Sequence, residues 1–253
     1  MSSEKKPRIV GVIPARLNSE RLPGKVLRPL AGRAMLHHVY EGARACLLLD
    51  ELLVATDAEA VRDYCAAHQI PVLMTSPTHR SGTERIDEVA QRIPADVFVN
   101  LQADEPFVRP DHVRLLVEPF LSGQATHVST LKVALDGAAA MNPHVVKVVT
   151  DLRGQALYFS RAPIPYHRNP ACSLPYYKHL GLYGYRREAL ARYLQLPPSP
   201  LEEAEKLEQM RFLENGIPIH VAETAQDTIG VDTEEDWIAA SRLFESRSRS
   251  FRE

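Results

Sequence analysis

The sequence predicts an α/β protein built on a mainly parallel β-sheet that helices cover on both faces. Short, almost continuously apolar runs alternate with amphipathic helical patterns in the first half of the chain. Such runs are typical of strands buried on both faces. Loops rich in charged residues follow several of these runs, at the strand ends where open α/β sheets bind ligands. The 253 residues are 45% hydrophobic and 25% charged, as in ordinary globular proteins.

Strand and helix alternate regularly up to residue 122. An apolar run stopped by Pro14 predicts the first strand, and apolar residues between 35 and 43 repeat with helical spacing. Thr56 and Glu59 form the pattern of a capping box, so we expect Thr56 to open the second helix. The predicted strands are 8–14, 51–56, 71–75 and 96–102, and the predicted helices are about 35–43, from the capping box at 56–59 to about 68, 83–93 and 110–122.

The pattern changes after residue 126. The many prolines and aromatic residues of 160–185 predict an irregular lobe rather than another strand–helix–strand unit. A helix over about 201–215 is expected to end at Gly216. No linker divides the chain, so we expect one domain, 1–253, with an embedded lobe at about 155–190. The other predicted elements are strands at 127–133, 145–150, 156–159 and 217–222, and helices at 187–194 and from about 233 onward.

Charge and cysteine content exclude several classes of protein. A net charge of −2 gives no long-range attraction to nucleic acid, so the Ser-Arg repeats of 246–250 are interpreted as a solvated tail. Cys46, Cys65 and Cys172 are few and widely spaced, which fits a reducing cytoplasm. The polar segment 1–8 predicts no signal peptide, and no apolar run approaches the roughly 20 residues of a membrane span.

A basic loop, residues 15–25, follows the first predicted strand. It carries Arg16, Arg21 and Lys25 together with Gly24. Backbone N–H groups and cations in such a loop can wrap a polyphosphate, although a solvated basic loop is an equally good interpretation. The loop contains neither the P-loop pattern nor the glycine fingerprint of dinucleotide-binding dehydrogenases.

Two acidic residues, far apart in the sequence, each lie at the end of a predicted strand or helix. Asp104 follows the fourth strand, and Asp232 precedes the last helix. Carboxylates at a strand end can hold Mg2+ against the phosphates of a nucleotide. The alternatives are that Asp104 caps a turn and that Asp232 or Thr233 caps the helix.

Three further groups of polar residues are compatible with ligand binding. Ser81 and Gly82 form a turn that can contact a base, although either Ser81 or, preferably, Thr83 is expected to cap the next helix. Arg161 can grip a carboxylate while His179 and Tyr183 bond to hydroxyls, but packing is an equally simple role for them. Glu208 and Gln209 lie on a predicted helix, where such residues are usually solvated.

The motifs, taken in order, resemble those of the CMP-Kdo synthetases (3-deoxy-manno-octulosonate cytidylyltransferases). The resemblance covers residues 9–237, nearly the whole chain. The matching segments are IPARLNSERLPGK (13–25), SGTER (81–85), NLQADEP (100–106), NPHVVKVV (142–149), ALYFSR (156–161), HLGLYGYR (179–186), LEEAEKLEQMR (201–211) and GVDTEED (230–236).

The resemblance implies a three-layer α/β/α nucleotidyltransferase fold, a cytoplasmic homodimer formed through the smaller lobe, and transfer of CMP from CTP to Kdo for lipopolysaccharide or capsule synthesis. It implies Mg2+ held by Asp104 and Asp232, which together with Arg16 and Lys25 form the expected catalytic set. The expected nucleotide-binding residues are Ala15, Arg16, Arg21, Lys25, Ser81 and Gly82. The expected sugar-binding residues are Gln102, Arg161, His179, Tyr183, Glu208 and Gln209, with Arg161 near the sugar carboxylate.

Two positions differ from the usual family pattern. Ala103 stands where Gly is common, beside the expected sugar site, and Arg80 stands where Gln is frequent, beside the expected base site. They leave open a related substrate such as 8-amino-Kdo or a sialic-acid-like sugar. A catalytically inert nucleotide-binding dimer is the other alternative, but its expected mark is the loss of Lys25, Asp104 or Asp232, and all three are present.

Overall fold

The computed structural model describes residues 6–18, 21–123, 125–169, 171 and 174–250. These residues separate into two compact units. The first unit comprises Arg8–Val113 and Thr228–Glu253, and the second unit comprises Arg114–Asp227 with the N-terminal segment Met1–Pro7. The expectation of one domain with a lobe at about 155–190 stays a prediction.

Every strand and helix predicted before residue 122 is present, and all of them but the greater part of the last helix belong to the first unit. A short 3-10 helix, Lys25–Leu27, and a small hairpin of two-residue strands were not predicted. The elements are β1 (Ile9–Ala15), β2 (Pro29–Leu30), β3 (Arg33–Ala34), α1 (Met35–Arg44), β4 (Glu51–Thr56), α2 (Glu59–Ala67), β5 (Val72–Met74), α3 (Gly82–Arg92), β6 (Val97–Asn100) and α4 (Pro110–Leu121), within which the second unit begins.

A four-stranded parallel sheet with the order β6-β1-β4-β5 forms the core of the first unit. Val12 of β1 lies opposite Leu53 on one side and Asn100 on the other. Val12, Val54 and Val99 are fully buried, which agrees with the continuous apolar runs in the sequence. Because all four strands run in the same direction, their carboxyl ends lie along one edge of this sheet.

Two predicted helix caps are wrong. Thr56 is the last residue of β4, and its hydroxyl accepts from the N–H of Ala58, which is the residue that precedes α2. Ser81 rather than Thr83 caps α3, accepting from the N–H of Glu84. Thr83 lies inside the helix and is 5% exposed. In both places the threonine expected to cap the helix is instead buried, Thr56 at the end of a strand and Thr83 within the helix.

The second unit is built on a mixed sheet. In it β7 pairs in parallel with β11 and antiparallel with β10, while β8 pairs antiparallel with both β9 and β10. The elements are β7 (Val128–Leu135), α5 (Gly137–Ala140), β8 (Lys147–Thr150), β9 (Ala156–Ser160), β10 (Tyr176–Arg186), α6 (Arg187–Gln195), α7 (Pro200–Glu205), α8 (Met210–Glu214) and β11 (Ile219–Thr224).

The expected irregular lobe is wrong for its second half, because β10 is an 11-residue strand. The glycines of this segment weaken its strand pattern in the sequence. Gly184 is needed there, since a Cβ atom would lie 2.5 Å from the Ser129 hydroxyl and 2.7 Å from the Phe120 ring. The segment before β10, 161–175, has no helix or strand among its described residues.

The single helix predicted over about 201–215 is also wrong. It is interrupted between α7 and α8 at Lys206, whose φ of 54° is left-handed. Leu207 and Met210 are buried on the far side of this break, at 6% and 1% exposure. Tertiary packing therefore overrides the helical propensity of the segment. Gly216, with φ 68°, ends α8 as predicted.

The chain returns to the first unit and ends in α9 (Glu234–Ser250). Thr233 caps this helix, because its hydroxyl accepts from the N–H of Asp236 while the Asp236 carboxylate accepts from the N–H of Thr233. Ala240 packs into an apolar cluster with Leu30 and Phe107. No helix in the described ranges is long and apolar enough to cross a membrane. The α/β class with a mainly parallel sheet is confirmed.

Candidate active site

The candidate site of the first unit lies at the carboxyl edge of its parallel sheet. Ala15 ends β1 opposite Thr56, the end of β4, and Asn100 ends β6. The basic loop and the segment that carries Asp104 begin at these strand ends. This is the edge at which α/β sheets bind ligands.

Lys25 is the centre of a buried cluster at this edge. Gly24, with φ 69°, allows the turn that starts the 3-10 helix, and the Lys25 side chain is only 8% exposed. Its ammonium donates to Asp104 Oδ2 at 2.6 Å and to Asp232 Oδ1 at 2.7 Å. It also donates to the Val231 carbonyl at 3.0 Å. The structure thus brings together three residues that are separated by 79 and 207 positions in the sequence.

The backbone and Arg21 fix the acidic side of this cluster. The N–H of Val231 donates to the Asp104 carbonyl at 2.9 Å, which joins the two acidic segments. Arg21 lies 2.9 Å from Asp232 Oδ2, and its side chain is 64% exposed. Because Thr233 caps α9, the Asp232 carboxylate is free of the capping role that was the alternative in the sequence.

The cluster stabilises the charged forms of Lys25 and Asp232. Burial alone would lower the pKa of Lys25, but attraction and hydrogen bonds from Asp104 and Asp232 outweigh it, and the pKa is raised. Burial would raise the pKa of Asp232, but Lys25 and Arg21 outweigh this effect and lower it. The lysine is therefore an ammonium and Asp232 a carboxylate at neutral pH.

The acidic pair, Asp104 and Asp232, has the geometry to hold a hard cation. Its two oxygens accept from a single nitrogen, so they converge on one point, as does the Val231 carbonyl oxygen. No group of three or more His, Cys, Asp or Glu suited to a metal occurs in the part of the chain that the structure describes. Two carboxylates nevertheless fit Mg2+, which commonly completes its octahedral shell with water and substrate phosphates.

The expected base-binding residues lie at the same edge. Ser81 precedes the 11-residue helix α3, and Gly82 begins it. A Cβ atom at Gly82 would lie 3.3 Å from the Pro14 ring and 3.9 Å from the Gln102 amide, so Gly82 permits close packing of these three segments. Arg16, next to the buried Ala15, is exposed.

The two departures from the family pattern have different surroundings. The Arg80 side chain is 89% exposed and lies 3.5 Å from Glu84, so it extends into solvent. Ala103 is 4% exposed. Its methyl group is therefore packed within the protein.

In the second unit, an irregularity in β10 brings His179 and Tyr183 side by side. The register against β7 shifts between Leu180 and Tyr183. The Thr130 hydroxyl lies within hydrogen-bonding distance of the Leu180 and Leu182 carbonyls, at 3.1 and 2.8 Å, and closes the bulge. It also lies 3.0 Å from His179 Nε2. The His179 and Tyr183 rings are 5.5 Å apart.

Burial keeps both of these side chains neutral. It lowers the pKa of His179 to about 3, with a smaller contribution from the nearby Lys178 charge. It raises the pKa of Tyr183 well above 10, to which Tyr185 and Glu208 add. A neutral imidazole and a phenol can exchange hydrogen bonds with sugar hydroxyls without placing a buried charge beside them.

Arg161 is held firmly by its neighbours in the second unit. Its backbone N–H donates to the Glu205 carboxylate at 2.9 Å, and its Nε donates to the Glu205 carbonyl at 2.8 Å. One terminal nitrogen donates to the Pro143 carbonyl at 3.2 Å. These contacts orient the guanidinium group, as recognition of a carboxylate requires.

Glu208 and Gln209 lie in the turn between α7 and α8 rather than on a helix. Glu208 is exposed, whereas Gln209 is 6% exposed. The buried Gln209 Nε2 has no hydrogen-bond partner among the described residues. A buried donor without a partner is costly, and an acceptor atom of a ligand or of a water molecule would complete it.

Sequence reasoning missed the residues that position these groups. Thr130 lies in an ordinary strand pattern, and Glu205, although it is part of the matching segment 201–211, was assigned no role there. For Thr130 the sequence offered no distinct signal, because Ser129 and Lys132 are also polar residues of the same strand. The remaining expected residues are divided between the units: Gln102 belongs to the first, and Arg161, His179, Tyr183, Glu208 and Gln209 to the second.

Comparisons with known proteins identify close relatives. A family model for cytidylyltransferases matches residues 10–223. The 3-deoxy-manno-octulosonate cytidylyltransferase of Koribacter versatilis (strain Ellin345) is 48% identical over 239 residues, which cover 94% of this chain and 91% of the relative. The protein of the same name from Acidobacterium capsulatum is 52% identical over 241 residues, covering 95% of this chain and 98% of the relative.

A solved structure agrees with these relatives. It is that of CMP:2-keto-3-deoxy-manno-octonic acid synthetase complexed with CTP, and it matches this chain with a TM-score of 0.91 at 44% identity. The match covers 95% of this chain and 99% of the other.

Proposed function

This chain belongs to the cytidylyltransferase family, as its motifs predicted, and from this membership we propose that it transfers CMP from CTP to the anomeric hydroxyl of Kdo. The observation that carries the proposal is the cluster of Lys25, Asp104 and Asp232 at the carboxyl edge of the first unit's sheet. It combines a buried cation with two convergent carboxylates, the two kinds of group that nucleotidyl transfer requires.

In this reaction the anomeric oxygen of Kdo forms a bond to the α-phosphorus of CTP. The bond from that phosphorus to the oxygen bridging to the β-phosphate breaks, pyrophosphate leaves with the electron pair, and the hydroxyl proton passes to solvent. Such in-line transfers depend on positioning and charge neutralisation more than on covalent catalysis.

Lys25, Arg21 and Arg16 are the proposed triphosphate-binding residues. The raised pKa of Lys25 keeps its ammonium charged throughout the neutral range. Arg16 and Arg21 are exposed on the same loop, where their guanidinium groups can meet phosphate oxygens bidentately. Ser81 and Gly82, at the start of α3, are the proposed contacts of the cytosine base.

We propose that Asp104 and Asp232 hold Mg2+, and a bound Mg2+ would neutralise phosphate charge and favour ionisation of the attacking hydroxyl. Support comes from the convergence of the two carboxylates and from the lowered pKa of Asp232, which keeps that carboxylate ionised. Lys25, which donates to both, would keep the pair oriented.

Arg161, His179, Tyr183 and the Gln209 amide are the proposed sugar contacts in the second unit, joined by Glu208, and Gln102 is the proposed contact in the first. Kdo is a carboxylic acid with many hydroxyl groups. An oriented guanidinium suits its carboxylate, and neutral hydrogen-bonding groups suit its hydroxyls. A ligand hydroxyl that accepts from Gln209 Nε2 would satisfy the buried donor.

Further proposals concern the oligomeric state, the cellular compartment and the biosynthetic role. We propose a homodimer formed through the second unit, because its large apolar side chains Leu152, Leu157 and Tyr166 are exposed. Cys46 and Cys65 are buried free thiols, which suits the reducing cytoplasm. Supply of CMP-Kdo to lipopolysaccharide or capsule synthesis is the proposed role.

The test is pyrophosphate release by the purified protein with CTP, Kdo and Mg2+, omitting each component in turn. Release that needs all three supports the proposal. Release with 8-amino-Kdo or a sialic acid but not with Kdo would replace the sugar and keep the reaction. Binding of CTP without release for any acid sugar would indicate an inert nucleotide-binding protein.

A further inference from the structure

Lys147, the first residue of β8, is completely buried, and the proposed chemistry does not use it. Its ammonium donates to the carbonyls of Asn142 at 3.1 Å, Val145 at 2.9 Å and Arg161. An ammonium has three N–H donors, so these three carbonyls use all of them. Within the described residues Lys147 forms no ion pair with a carboxylate.

The turn 142–146, which Lys147 holds, contacts two of the proposed sugar-binding residues. The Pro143 carbonyl accepts from the Arg161 guanidinium at 3.2 Å, and the Val146 carbonyl accepts from the backbone N–H of His179 at 2.9 Å. Lys147 also binds Arg161 directly through its carbonyl. A single buried ammonium therefore ties the turn directly to Arg161, and the turn also holds the backbone of His179.

A purely structural role would be better served by an apolar residue. Burial lowers the pKa of Lys147, and attraction to the Glu205 carboxylate and hydrogen bonds to carbonyl oxygens offset only part of the cost of burying its charge. The hydrogen bonds of Lys147 are instead concentrated on segments that determine where Arg161 and His179 lie. Glu205 also holds Arg161, because it accepts hydrogen bonds from both the backbone N–H and the Nε of this residue. Arg161 is therefore fixed at both its backbone and its side chain.

We propose that Lys147 is a positioning residue for the acid sugar, which acts by fixing Arg161 and, through the turn 142–146, His179. The proposal rests on the proposed function, because it assumes that Arg161 binds the sugar carboxylate. It assigns no role to Lys147 in binding CTP. The effect of removing Lys147 is therefore confined to the sugar substrate.

The experiment compares Lys147→Met with the wild-type enzyme, measuring KM separately for Kdo and for CTP. Methionine has a similar length but lacks charge and donors. We expect KM for Kdo to rise about 10- to 100-fold, because a shift of about 1 Å in the position of a binding group has an effect of this size. KM for CTP should not change. Lys6→Met, which removes an exposed lysine grouped with the second unit, is the control and should leave both values unchanged.

A double-mutant cycle with Arg161→Ala separates positioning from general destabilisation. If Lys147 acts mainly through Arg161, Lys147→Met should raise KM for Kdo much less in the Arg161→Ala background. Equal effects on both substrates, an unchanged KM for Kdo, or full additivity with Arg161→Ala would overturn the proposal.

Thermal unfolding and CTP binding show whether each variant is folded. If Lys147→Met does not fold, Lys147→Gln, which keeps N–H donors without charge, takes its place with the same expected split between substrates. Failure of the wild-type enzyme to use Kdo would refute the proposed function. Normal wild-type turnover with an unaffected variant would refute only the role of Lys147.

Discussion

Replacing Lys25 with methionine tests the charge balance of the candidate site. The substitution removes an ammonium that donates to Asp104 and Asp232 and leaves their carboxylates facing each other. Hydrogen bonds to charged groups contribute roughly 1.5–3 kcal/mol each in protected surroundings. The Asp104 and Asp232 side chains are 30% and 44% exposed, so solvent screens part of this, and we expect a total loss of about 2 kcal/mol.

For a chain of this size, that loss lowers the unfolding temperature by about 4–8 °C. Added Mg2+ should restore more stability to Lys25→Met than to the wild-type protein, because in the variant the cation supplies the positive charge that the two carboxylates have lost. Turnover should still fall by at least about 100-fold, since the cation that meets the triphosphate is gone.

Thermal unfolding with and without Mg2+, together with pyrophosphate release, measures these effects. Lys6→Met removes the charge of an exposed lysine and serves as the control. An unfolding temperature that does not change, combined with a response to Mg2+ equal to that of the wild-type protein, would show that Lys25 does not neutralise the acidic pair.

Three further changes probe the remaining groups. Asp104→Asn should reduce turnover by about 100-fold or more without unfolding the protein, as pyrophosphate release and thermal unfolding will show; normal turnover would remove Asp104 from the site. Arg161→Ala should raise KM for Kdo by about 10- to 100-fold and leave KM for CTP unchanged; an unchanged KM for Kdo would contradict its contact with the carboxylate. Burial lowers the pKa of His179 to about 3. As the pH drops below an unfolded-state pKa near 6.5, the unfolded chain therefore takes up a proton that the folded protein does not, and the free energy of unfolding decreases. Urea unfolding should show that the wild-type protein loses about 2 kcal/mol more than His179→Gln between pH 7 and pH 5, and equal losses would exclude this cause.

The strands that the sequence predicted best are those buried on both faces. β1 and β4 appear as unbroken apolar runs, because a strand inside a parallel sheet needs apolar residues on both sides. β10 was missed because it contains glycines and polar residues that its neighbours require. Gly184 gives space to Phe120 and Ser129, a demand that arises only when β7 and β10 are paired.

The candidate site was predicted residue by residue, but its contacts were not. The motifs identified Lys25, Asp104 and Asp232 separately, as a cation for phosphate and two ligands for metal. That Lys25 donates to both carboxylates depends on a turn at Gly24 and on the bond between Val231 and Asp104, which join distant segments. No local pattern in the sequence records such contacts.

The break between α7 and α8 shows how folding cost and substrate binding are connected. A lysine in the left-handed region costs roughly 1–2 kcal/mol, and such strain persists only where the surroundings enforce it. Here the Glu202–Arg211 ion pair spans the break, with Arg211 Nε donating to Glu202 at 2.7 Å. The turn then places Gln209 in the interior with a buried amide nitrogen that has no partner in the described chain. Strain at Lys206 and an unsatisfied donor at Gln209 both weaken folding, and a continuous helix would avoid the strain. A ligand that accepts the Gln209 hydrogen bond, as proposed for the sugar, would offset the second of these two costs.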